Sequence, residues 1–433
     1  MAANSPLTTP NCTTLDEWLR WQESLHVTDI ELGLDRCRIV ADAMGLTAPA
    51  RTVVTVAGTN GKGSSVAMLD SIWRAAGYAV GTYTSPHLLR YNERIRVNGC
   101  EATDAAICAA FQRIELARGD TPLTYFEFGT LAALSLFIDA DLDVVILEVG
   151  LGGRLDAVNI VDADVALIAT IGIDHVEFLG NDRETIALEK AGIMRAGKAA
   201  VCSDIDMPAS LMAHATKLGA PLDVLGTTYR FSDDGTVWSW WSGDTVYAEL
   251  PKPNLTGAYQ LSNAAGVVRV VDVLSARLPV SEAELRRGLL EVELVGRFQR
   301  LPGVVETIVD VAHNAQAVGV FVDTLQQQTA ARRTHVILGM LRVKDRESVI
   351  EALAPVADTW HLATVVARRG ATSAELFESF RRVLGNGPKA QTYDSVASAF
   401  RAVRAAAVPG DRIVALGSFL VVAEVIASSR AAS

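Results

Sequence analysis

Cysteine is scarce in this chain, and its arrangement excludes two common kinds of covalent or metal-based stabilisation. The 433 residues include five cysteines, an odd number, and none of them forms a Cys-x-x-Cys pair. A disulfide framework needs paired cysteines, and a structural zinc site typically uses closely spaced ones. We therefore expect reduced thiols, as in a cytoplasmic protein.

Long apolar runs and basic segments are also missing. The longest apolar stretches, such as Leu131–Ile138 and Val421–Ala427, fall far short of the roughly 18 residues that a membrane span needs. The first twenty residues lack the basic start of a signal peptide. The formal net charge is −11 and no basic stripe accompanies it, so neither a membrane nor a nucleic acid is an expected partner.

The hydrophobic pattern predicts an α/β fold with a mostly parallel sheet. From residue 52 onward, short β-branched runs alternate with longer segments of helical periodicity. Around Tyr229–Tyr247 the alternation is typical of a small antiparallel meander, whose tryptophans we interpret as packing residues. The predicted strands are Thr52–Ala57, Asp143–Val149, Val165–Thr170, Val304–Val311, His335–Leu338, Thr359–Thr364 and Arg412–Leu416, and the predicted helices include Ser64–Ala76, Asp182–Met194 and Tyr259–Val273.

A glycine-rich turn between a predicted strand and a predicted helix is the strongest local signal for a ligand. Gly58-Thr-Asn-Gly-Lys-Gly-Ser64 supplies backbone N–H groups, a helix N-terminus and the Lys62 ammonium, all of which suit phosphate oxygens. Ser64 or Ser65 offers a hydroxyl to Mg²⁺. The generic P-loop pattern is not met strictly, because a glycine separates Lys62 from Ser64. Because the glycines, the lysine and two serines occur together, we favour phosphate binding over an ordinary surface turn.

Charged and polar residues follow two further predicted strands of this region. Glu148 ends one apolar strand, and a glycine-rich turn through Arg154 and Asp156 comes after it. Asp174 and His175 follow the next strand. Parallel sheets bind ligands at the carboxyl ends of their strands, so Glu148 and His175 are candidate Mg²⁺ ligands. A solvated strand-end glutamate and a structural histidine are the alternatives.

A second α/β series begins near residue 297 and predicts a second domain. We place the boundary between Leu289 and Arg297, which divides the chain into residues 1–295 and 296–433. The first predicted domain is a P-loop ATPase domain with a mostly parallel sheet, and the second is a smaller, Rossmann-like α/β domain. Asp310 and His313 close a predicted strand of the second domain. Arg297, at its start, is a candidate contact to the nucleotide.

A series of motifs, in the same order along nearly the whole chain, resembles the folylpolyglutamate synthase/dihydrofolate synthase family of the Mur ligase superfamily. These motifs are VAGTNGKGS (56–64), TSPHLLRYNERI (84–95), TYFEFGTLAAL (124–134), LEVGLGGRLDAVN (147–159), IGIDHVEFLG (171–180), IALEKAGIMR (186–195), NLTGAYQLSNA (254–264), GRFQ (296–299) and DVAHN (310–314). The glycine between Lys62 and Ser64 is part of the family's pattern.

The resemblance implies an ATP- and Mg²⁺-dependent ligase that adds L-glutamate to dihydropteroate and to reduced folates through an acyl phosphate. It implies a monovalent cation such as K⁺ as a further cofactor, and a cytoplasmic monomer. Residues 1–295 would bind ATP and the pterin substrate, and residues 296–433 would form the glutamate-ligase domain. The alternatives are an enzyme that only extends existing folates, a Mur ligase acting on a cell-wall precursor, and a nucleotide-binding regulator without catalysis.

The resemblance also implies roles for individual residues. Nucleotide contacts are expected at Thr59, Asn60, Gly61, Lys62, Gly63, Ser64, Asn263, Arg297 and Asp310, and Mg²⁺ ligands at Ser85, Glu148 and His175. Catalytic roles are expected for Lys62, His175 and Lys190, with Lys190 carbamylated rather than paired with Glu189 or Glu184. Substrate contacts are expected at Val27, Thr28, Asp29, Ile30, Thr124, Phe126, Leu155, Asp156, Ala157, His313 and Ser418.

Overall fold

The computed structural model describes residues 12–25, 31–387 and 389–430. Its helices are α1 (Leu15–Leu25), α2 (Asp35–Met44), α3 (Lys62–Ala75), α4 (Asp104–Arg118), α5 (Tyr125–Asp139), α6 (Val176–Leu179), α7 (Arg183–Ala191), α8 (Ala209–Leu218), α9 (Tyr259–Val273), α10 (Glu282–Glu291), α11 (Ala315–Gln326), α12 (Arg346–Leu353), α13 (Ser373–Leu384), α14 (Val396–Ala406) and α15 (Phe419–Arg430). Short 3₁₀ helices cover Tyr91–Arg94, Ala157–Ile160 and Ala354–Val356.

The strands form three sheets. They are β1 (Thr52–Ala57), β2 (Val80–Tyr83), β3 (Ile95–Val97), β4 (Cys100–Glu101), β5 (Val144–Glu148), β6 (Val165–Ile168), β7 (Ala199–Cys202), β8 (Leu222–Val224), β9 (Arg230–Asp233), β10 (Val237–Ser242), β11 (Thr245–Pro251), β12 (Gln299–Leu301), β13 (Glu306–Val309), β14 (Arg333–Leu338), β15 (Thr359–Ala363), β16 (Ala390–Tyr393) and β17 (Asp411–Leu416). Each strand predicted from the sequence is present, with ends shifted by up to two residues.

The first sheet brings the ends of three neighbouring strands together. Its order is β4-β3-β2-β5-β1-β6-β7-β8. Strand β3 is antiparallel to both of its neighbours, β2 and β4, and all other neighbouring strands are parallel. Every residue of β1 is buried, as expected for a central parallel strand covered on both faces. Val56 of β1 lies beside Glu148 of β5, and Leu147 lies beside Tyr83 of β2. The carboxyl ends of β2, β5 and β1 are therefore adjacent.

The second sheet is the predicted antiparallel meander, in the order β11-β10-β9. Trp238 and Trp240 are buried, and their indole N–H groups donate to the carbonyl oxygens of Pro251 and Ala265 at 2.9 and 3.1 Å. The interpretation of these two tryptophans as packing residues is confirmed.

The third sheet has the order β12-β13-β17-β14-β15-β16, and β12 alone is antiparallel to its neighbour. Helices α11, α12 and α13 pack apolar side chains against this sheet, among them Phe321, Leu353 and Phe380. The predicted fold class, a mostly parallel α/β sheet followed by a second α/β domain, is thus confirmed.

The chain forms two compact units. Unit 1 comprises Met1–Ile171, Asp182–Lys252 and Ser262–Val292, and unit 2 comprises Gly172–Asn181, Pro253–Leu261 and Glu293–Ser433. Two short segments that precede residue 293 therefore group with unit 2, and one of them carries Asp174 and His175. The functional division at residues 295 and 296 stays a prediction. Within the described ranges, no helix combines the length and the apolar character that crossing a bilayer requires.

Candidate active site

The glycine-rich loop lies between β1 and α3, where its sequence predicts it. Gly61 has a φ of 87°, and a Cβ atom there would lie 2.5 Å from Oδ1 of Asn263. Glycine is therefore required both for the left-handed backbone and for the close approach of Asn263. The N–H of Thr59 donates to the carbonyl oxygen of Thr170 at 2.7 Å, which fixes the loop to the segment after β6. The structure thus brings Asn263 and the loop together, as the resemblance implied.

Lys62 is the first residue of α3, and its side chain folds back over the loop. Its Nζ atom donates to the carbonyl oxygens of Gly58 at 2.9 Å and Thr59 at 3.4 Å. Ser65 Oγ donates to the carbonyl oxygen of Gly61 at 3.0 Å. The Lys62 ammonium and the N-terminus of α3 both bring positive charge to the glycine-rich loop, which is the arrangement that suits phosphate oxygens.

Glu148 and Ser85, two of the predicted Mg²⁺ ligands, lie next to each other in unit 1. Glu148 is the buried last residue of β5, and its Oε2 atom accepts a hydrogen bond from the backbone N–H of Ser85 at 3.1 Å. Strand β5 neighbours β1, so this pair lies beside the strand that leads into the glycine-rich loop. His175, the third predicted ligand, lies in unit 2.

This donor set suits Mg²⁺ better than a metal held entirely by protein. In the part of the chain that the structure describes, no group of three or more His, Cys, Asp or Glu side chains is arranged to hold a metal ion. Mg²⁺ usually keeps several waters and is bound by one or two carboxylates together with substrate phosphates. A single buried glutamate near the glycine-rich loop fits that mode.

The predicted acceptor-binding residues that are described lie near the start of α5 and the turn after β5. Thr124 caps α5, and its hydroxyl oxygen accepts from the N–H of Glu127 at 3.2 Å. The ring of Phe126 lies 5.8 Å from that of Tyr83, and a Cβ on Gly150 would lie 2.6 Å from Phe126 Cζ. The turn therefore lies directly against Phe126. Val27, Thr28, Asp29 and Ile30 lie outside the described residues.

Asp156 belongs to the same turn and is a buried carboxyl. Its two oxygens accept from the N–H groups of Leu151 at 2.8 Å and Val158 at 3.1 Å. Burial raises the pKa of Asp156 to about 7, although these donors and the charge of Lys62 oppose the shift. Such a carboxyl can present either protonation state to a ligand near neutral pH. Its neighbours Leu155 and Ala157 lead from the turn into the 3₁₀ helix Ala157–Ile160.

Lys190 is buried in α7, close to the turn after β5. The carbonyl oxygen of Glu189 accepts from the N–H of Arg154 at 2.8 Å, and a Cβ on Gly153 would lie 3.2 Å from Lys190 Cα. The two carboxylates considered as partners of Lys190 have contacts of their own. Glu189 pairs with Arg154 at 2.8 Å, and Glu184 accepts from the N–H groups of Ala209 and Ser210 at 3.1 and 2.7 Å.

A polar cluster in unit 2 surrounds Asp174. Lys344 Nζ donates to its Oδ1 atom at 2.6 Å, and His313 Nε2 lies 3.3 Å from its Oδ2 atom. Burial raises the pKa of Asp174, but the hydrogen bond with His313 and the charge of Lys344 outweigh that effect and hold the pKa well below its usual range. Lys344 Nζ also lies 3.4 Å from His175 Nε2. Because an ammonium can only donate, that ring nitrogen acts as the acceptor.

Arg297 and Asp310, the nucleotide contacts predicted in unit 2, lie close to each other. Asp310 accepts from the N–H groups of Phe298 and Ala312, each at 2.7 Å. Burial raises the pKa of Asp310, while the nearby charge of Arg297 opposes the shift. The guanidinium carbon of Arg297 lies 5.5 Å from the centre of the Phe419 ring.

The predicted glutamate contacts His313 and Ser418 lie next to Phe419 in this unit. The His313 ring centre is 6.3 Å from that of Phe419, and Ser418 Oγ accepts from the N–H of Leu420 at 3.2 Å. Lys344 and Phe419 were not among the residues predicted from the sequence. Lys344 follows the end of β14 by six residues. The signal that selected Glu148, a charged residue at the carboxyl end of a parallel strand, also exists for Lys344, but a longer loop separates this lysine from its strand.

Comparison with known proteins agrees with this architecture. Residues 56–271 match the Mur ligase middle domain, and residues 296–419 match the glutamate ligase domain of the Mur ligases. The chain is 44% identical to a dihydrofolate synthase/folylpolyglutamate synthase of Escherichia coli, over 95% of this chain and 94% of the relative.

Two solved structures are similar over almost the whole chain. One is E. coli FolC in complex with DHPP and ADP, at 42% identity and a TM-score of 0.92, covering 97% of this chain and 99% of that one. The other is a bifunctional folylpolyglutamate synthase/dihydrofolate synthase with Mn, AMPPNP and L-glutamate bound, at 42% identity and a TM-score of 0.89, covering 98% and 100%. The chain therefore belongs to the dihydrofolate synthase/folylpolyglutamate synthase family of the Mur ligases.

Proposed function

We propose that this chain is an ATP- and Mg²⁺-dependent ligase that joins the amino group of L-glutamate to dihydropteroate and to reduced folates. The products are dihydrofolate and folylpolyglutamates. The observation that carries the proposal is 44% identity over 95% of the chain to a relative with both activities in its name. The glycine-rich loop beside the buried Glu148 supports it, because the ligase reaction needs a nucleotide and a divalent ion at one place.

Nucleotide binding is assigned first to the loop Thr59, Asn60, Gly61, Lys62, Gly63 and Ser64. The Lys62 ammonium and the loop N–H groups hold the β- and γ-phosphates. Asn263, which lies against Gly61, extends the contact to the rest of the nucleotide. Arg297 and Asp310 of unit 2 are the remaining nucleotide contacts in the proposal.

The metal ligands in the proposal are Ser85, Glu148 and His175. Bound Mg²⁺ supplies positive charge that neutralises the phosphate oxygens during phosphoryl transfer. The buried carboxylate of Glu148 and the hydroxyl of Ser85 are oxygen donors of the kind that this ion prefers. K⁺ is a further cofactor in the proposal.

The reaction proceeds in two transfers. The acceptor carboxylate attacks the γ-phosphorus of ATP, which forms an acyl phosphate and releases ADP. The neutral amine of glutamate then attacks the acyl carbon, an amide bond forms, phosphate leaves with the bonding electrons of the C–O bond, and the nitrogen releases one proton. Anionic groups approach each other in the first transfer, so electrostatic stabilisation by Lys62 and the loop N–H groups is the largest contribution of the protein.

The substrate positions in the proposal follow the family resemblance. The acceptor is assigned to Thr124, Phe126, Leu155, Asp156 and Ala157, with the segment 27–30 before them in the chain. Incoming glutamate is assigned to His313 and Ser418, which lie around Phe419 in unit 2. The proposed enzyme is a cytoplasmic monomer, and the unpaired cysteines suit a reducing compartment.

Lys190 is proposed to be carbamylated. Its neutral amine adds to CO₂, a new N–C bond forms, and one proton is released. The product replaces a buried ammonium with an anionic oxygen ligand, which suits a neighbouring divalent ion better than a second cation. Carbon-13 NMR of the protein in labelled bicarbonate should show a carbamate signal that is missing from Lys190→Arg.

Phosphate release by the purified chain with Mg-ATP and glutamate tests the function. Release with dihydropteroate and also with reduced folate is the expected result. Release with reduced folate alone would identify an enzyme that only extends folates. Release with neither acceptor would contradict the proposal.

A further inference from the structure

Arg94 is a buried arginine that has no carboxylate partner in the described ranges. It is 8% exposed and ends the 3₁₀ helix Tyr91–Arg94. Its Nε atom donates to Nδ1 of His87 at 2.9 Å. No acidic side chain of the described residues pairs with its guanidinium, although an unpaired charge in the interior is costly.

Two arginines in the same segment show the opposite arrangement. Arg90 has 63% of its side chain exposed and pairs with Glu101 at 3.8 Å and Asp104 at 3.6 Å. Arg96 has 43% exposed and pairs with Glu101 at 3.3 Å. The carboxylates of this region thus serve the exposed arginines, where ion pairs contribute little to stability. Among the described residues, the buried one is left without an anion.

The nearest carboxylate in sequence does not fill this role. Glu93 accepts hydrogen bonds from the N–H groups of Leu88, Leu89 and Arg90 at 2.7, 2.7 and 2.8 Å. Its oxygens therefore fix the preceding loop rather than the Arg94 guanidinium.

The groups that surround Arg94 offset its charge only in part. Its guanidinium carbon lies 5.3 Å from the ring centre of Tyr91 and 5.5 Å from that of Tyr125. A desolvated cation–π contact contributes less than removing one partner of a buried ion pair costs. Burial, reinforced by the charge of Arg94, lowers the pKa of His87 to about 4, so His87 is a neutral acceptor and brings no negative charge.

Arg94 is close to one part of the proposed acceptor site and to the loop that carries Ser85. It follows Ser85 by nine residues and precedes Ile95, which lies beside Tyr83 in the pairing of β3 with β2. The Tyr83 ring lies 5.8 Å from that of Phe126, and Tyr125 follows Thr124 directly. The unpaired guanidinium is therefore flanked by the residues assigned to the acceptor and by the loop that carries a proposed Mg²⁺ ligand.

We propose that the Arg94 guanidinium binds a carboxylate of the acceptor substrate. The inference rests on the proposed function and adds a residue to its acceptor site. The planar fork of N–H donors on an arginine matches the two oxygens of a carboxylate, and an anion at this point would neutralise the buried guanidinium. Two carboxylates have this chemistry: the one that becomes the acyl phosphate, and the second carboxylate of the terminal glutamate, which reduced folates have and dihydropteroate lacks.

Equilibrium binding of dihydropteroate and of tetrahydrofolate to the full chain, with Mg-ADP present, tests the proposal. Arg94→Gln should weaken acceptor binding at least about tenfold, the loss expected for a hydrogen bond to a charged group. Arg94→Lys, which keeps the charge, should lose less. Arg96→Gln is the matched control and should bind both acceptors as the wild type does. The affinity for ADP should stay unchanged in every variant.

The two acceptors identify which carboxylate is bound. Equal losses with both acceptors would assign Arg94 to the carboxylate that is activated. A loss with tetrahydrofolate alone would assign it to the second carboxylate of the terminal glutamate. Unchanged affinity of folded Arg94→Gln for both acceptors, or an equal loss in Arg96→Gln, would overturn the proposal.

Substrate analogues give a test that needs no variant. The wild-type chain should bind dihydropteroate or tetrahydrofolate more weakly when the carboxylate in question is replaced by a carboxamide. If each carboxamide binds as tightly as its parent acid, the Arg94 proposal fails even where Arg94→Gln does not fold. If the wild-type chain neither binds the acceptors nor releases phosphate with them, the proposed function and this inference both fail. If the wild type turns over normally and Arg94→Gln binds the acceptors with unaltered affinity, the inference alone fails.

Discussion

Lys344 Nζ donates a hydrogen bond to Asp174 Oδ1 at 2.6 Å, although the two residues are 170 positions apart in the chain. Their side chains are 8% and 10% exposed, so each neutralises a charge that water does not reach. The same lysine lies 3.4 Å from His175. This buried ion pair therefore joins the segment 172–181 to the rest of unit 2.

Removing one partner of this pair should destabilise the protein strongly. Asp174→Asn leaves the Lys344 ammonium buried without an anion, so we expect the free energy of unfolding to fall by about 3 kcal/mol. The double variant with Lys344→Met should recover part of the loss, because it removes the stranded charge. Urea unfolding measures both effects.

The pair formed by Lys252 and Asp233 is the control, since it has a similar distance of 2.7 Å but side chains that are 36% and 33% exposed. Asp233→Asn should cost no more than about 1 kcal/mol. Equal costs for Asp174→Asn and Asp233→Asn would show that burial of the first pair does not matter.

Two glycines with nearly the same φ value allow the effect of backbone strain to be measured apart from the effect of a close contact. Gly61 and Gly77 have φ values of 87° and 86°, but a Cβ on Gly61 would meet Asn263, whereas nothing lies within 4 Å of one on Gly77. Each alanine variant should lose roughly 1–2 kcal/mol of stability from the left-handed backbone. Gly61→Ala alone should also lose ADP affinity, by about tenfold or more. Calorimetric titration with Mg-ADP checks this, and an equal affinity in the two variants would contradict it.

Lys62→Ala should abolish turnover, because the variant lacks the positive charge next to the transferred phosphoryl group. We expect kcat to fall by about 100-fold or more, the scale seen when one preorganised electrostatic contact is removed. Lys198→Ala, which removes a half-exposed lysine paired with Asp164, should retain normal turnover. Near-normal kcat in Lys62→Ala would remove Lys62 from the nucleotide site.

His175→Ala should raise the Mg²⁺ concentration needed for half-maximal velocity. Changes at or next to metal ligands typically cost about 10- to 100-fold in metal affinity. His214→Ala, on α8 of unit 1, is the matched control and should leave the Mg²⁺ titration unchanged. If the two variants titrate alike, His175 is not a ligand.

Asp156 should make stability depend on pH between about 4 and 7. Its pKa is raised to about 7 in the folded chain, against about 3.9 for an unfolded aspartate. The folded state therefore binds the proton more tightly, so stability is greatest at low pH and falls as the pH rises through this window. The full difference amounts to about 4 kcal/mol above pH 7.

Asp156→Asn should remove this slope, and urea unfolding at several pH values measures it. The wild type should lose stability relative to the variant as the pH rises from about 4, with no further change above about 7. Asp244→Asn, in the exposed turn between β10 and β11, should keep the wild-type slope. Parallel stability profiles for the wild type and Asp156→Asn would contradict the raised pKa.

The sequence by itself determined the features that depend on neighbouring residues. The bounds of β1 were predicted residue for residue, because a β-branched run followed by glycines marks a buried strand and its end. The glycine-rich loop was predicted for the same reason, and the adjoining helix was predicted from the helical spacing of its apolar residues. Strands β2 (VGTY) and β7 (AAVC) were not predicted, because a glycine in the first and two alanines in the second are residues that strands disfavour.

The tertiary structure alone decided which charges have partners. The sequence places Arg90, Arg94 and Arg96 in one segment. Only the folded chain distinguishes the buried arginine, which has no carboxylate partner among the described residues, from the two exposed ones that have one. Likewise, Lys344 meets Asp174, and Asp156 is enclosed so that its pKa rises. Burial and long-range pairing depend on residues far apart in the chain, and a local pattern carries no information about the surroundings that the fold brings to a charge.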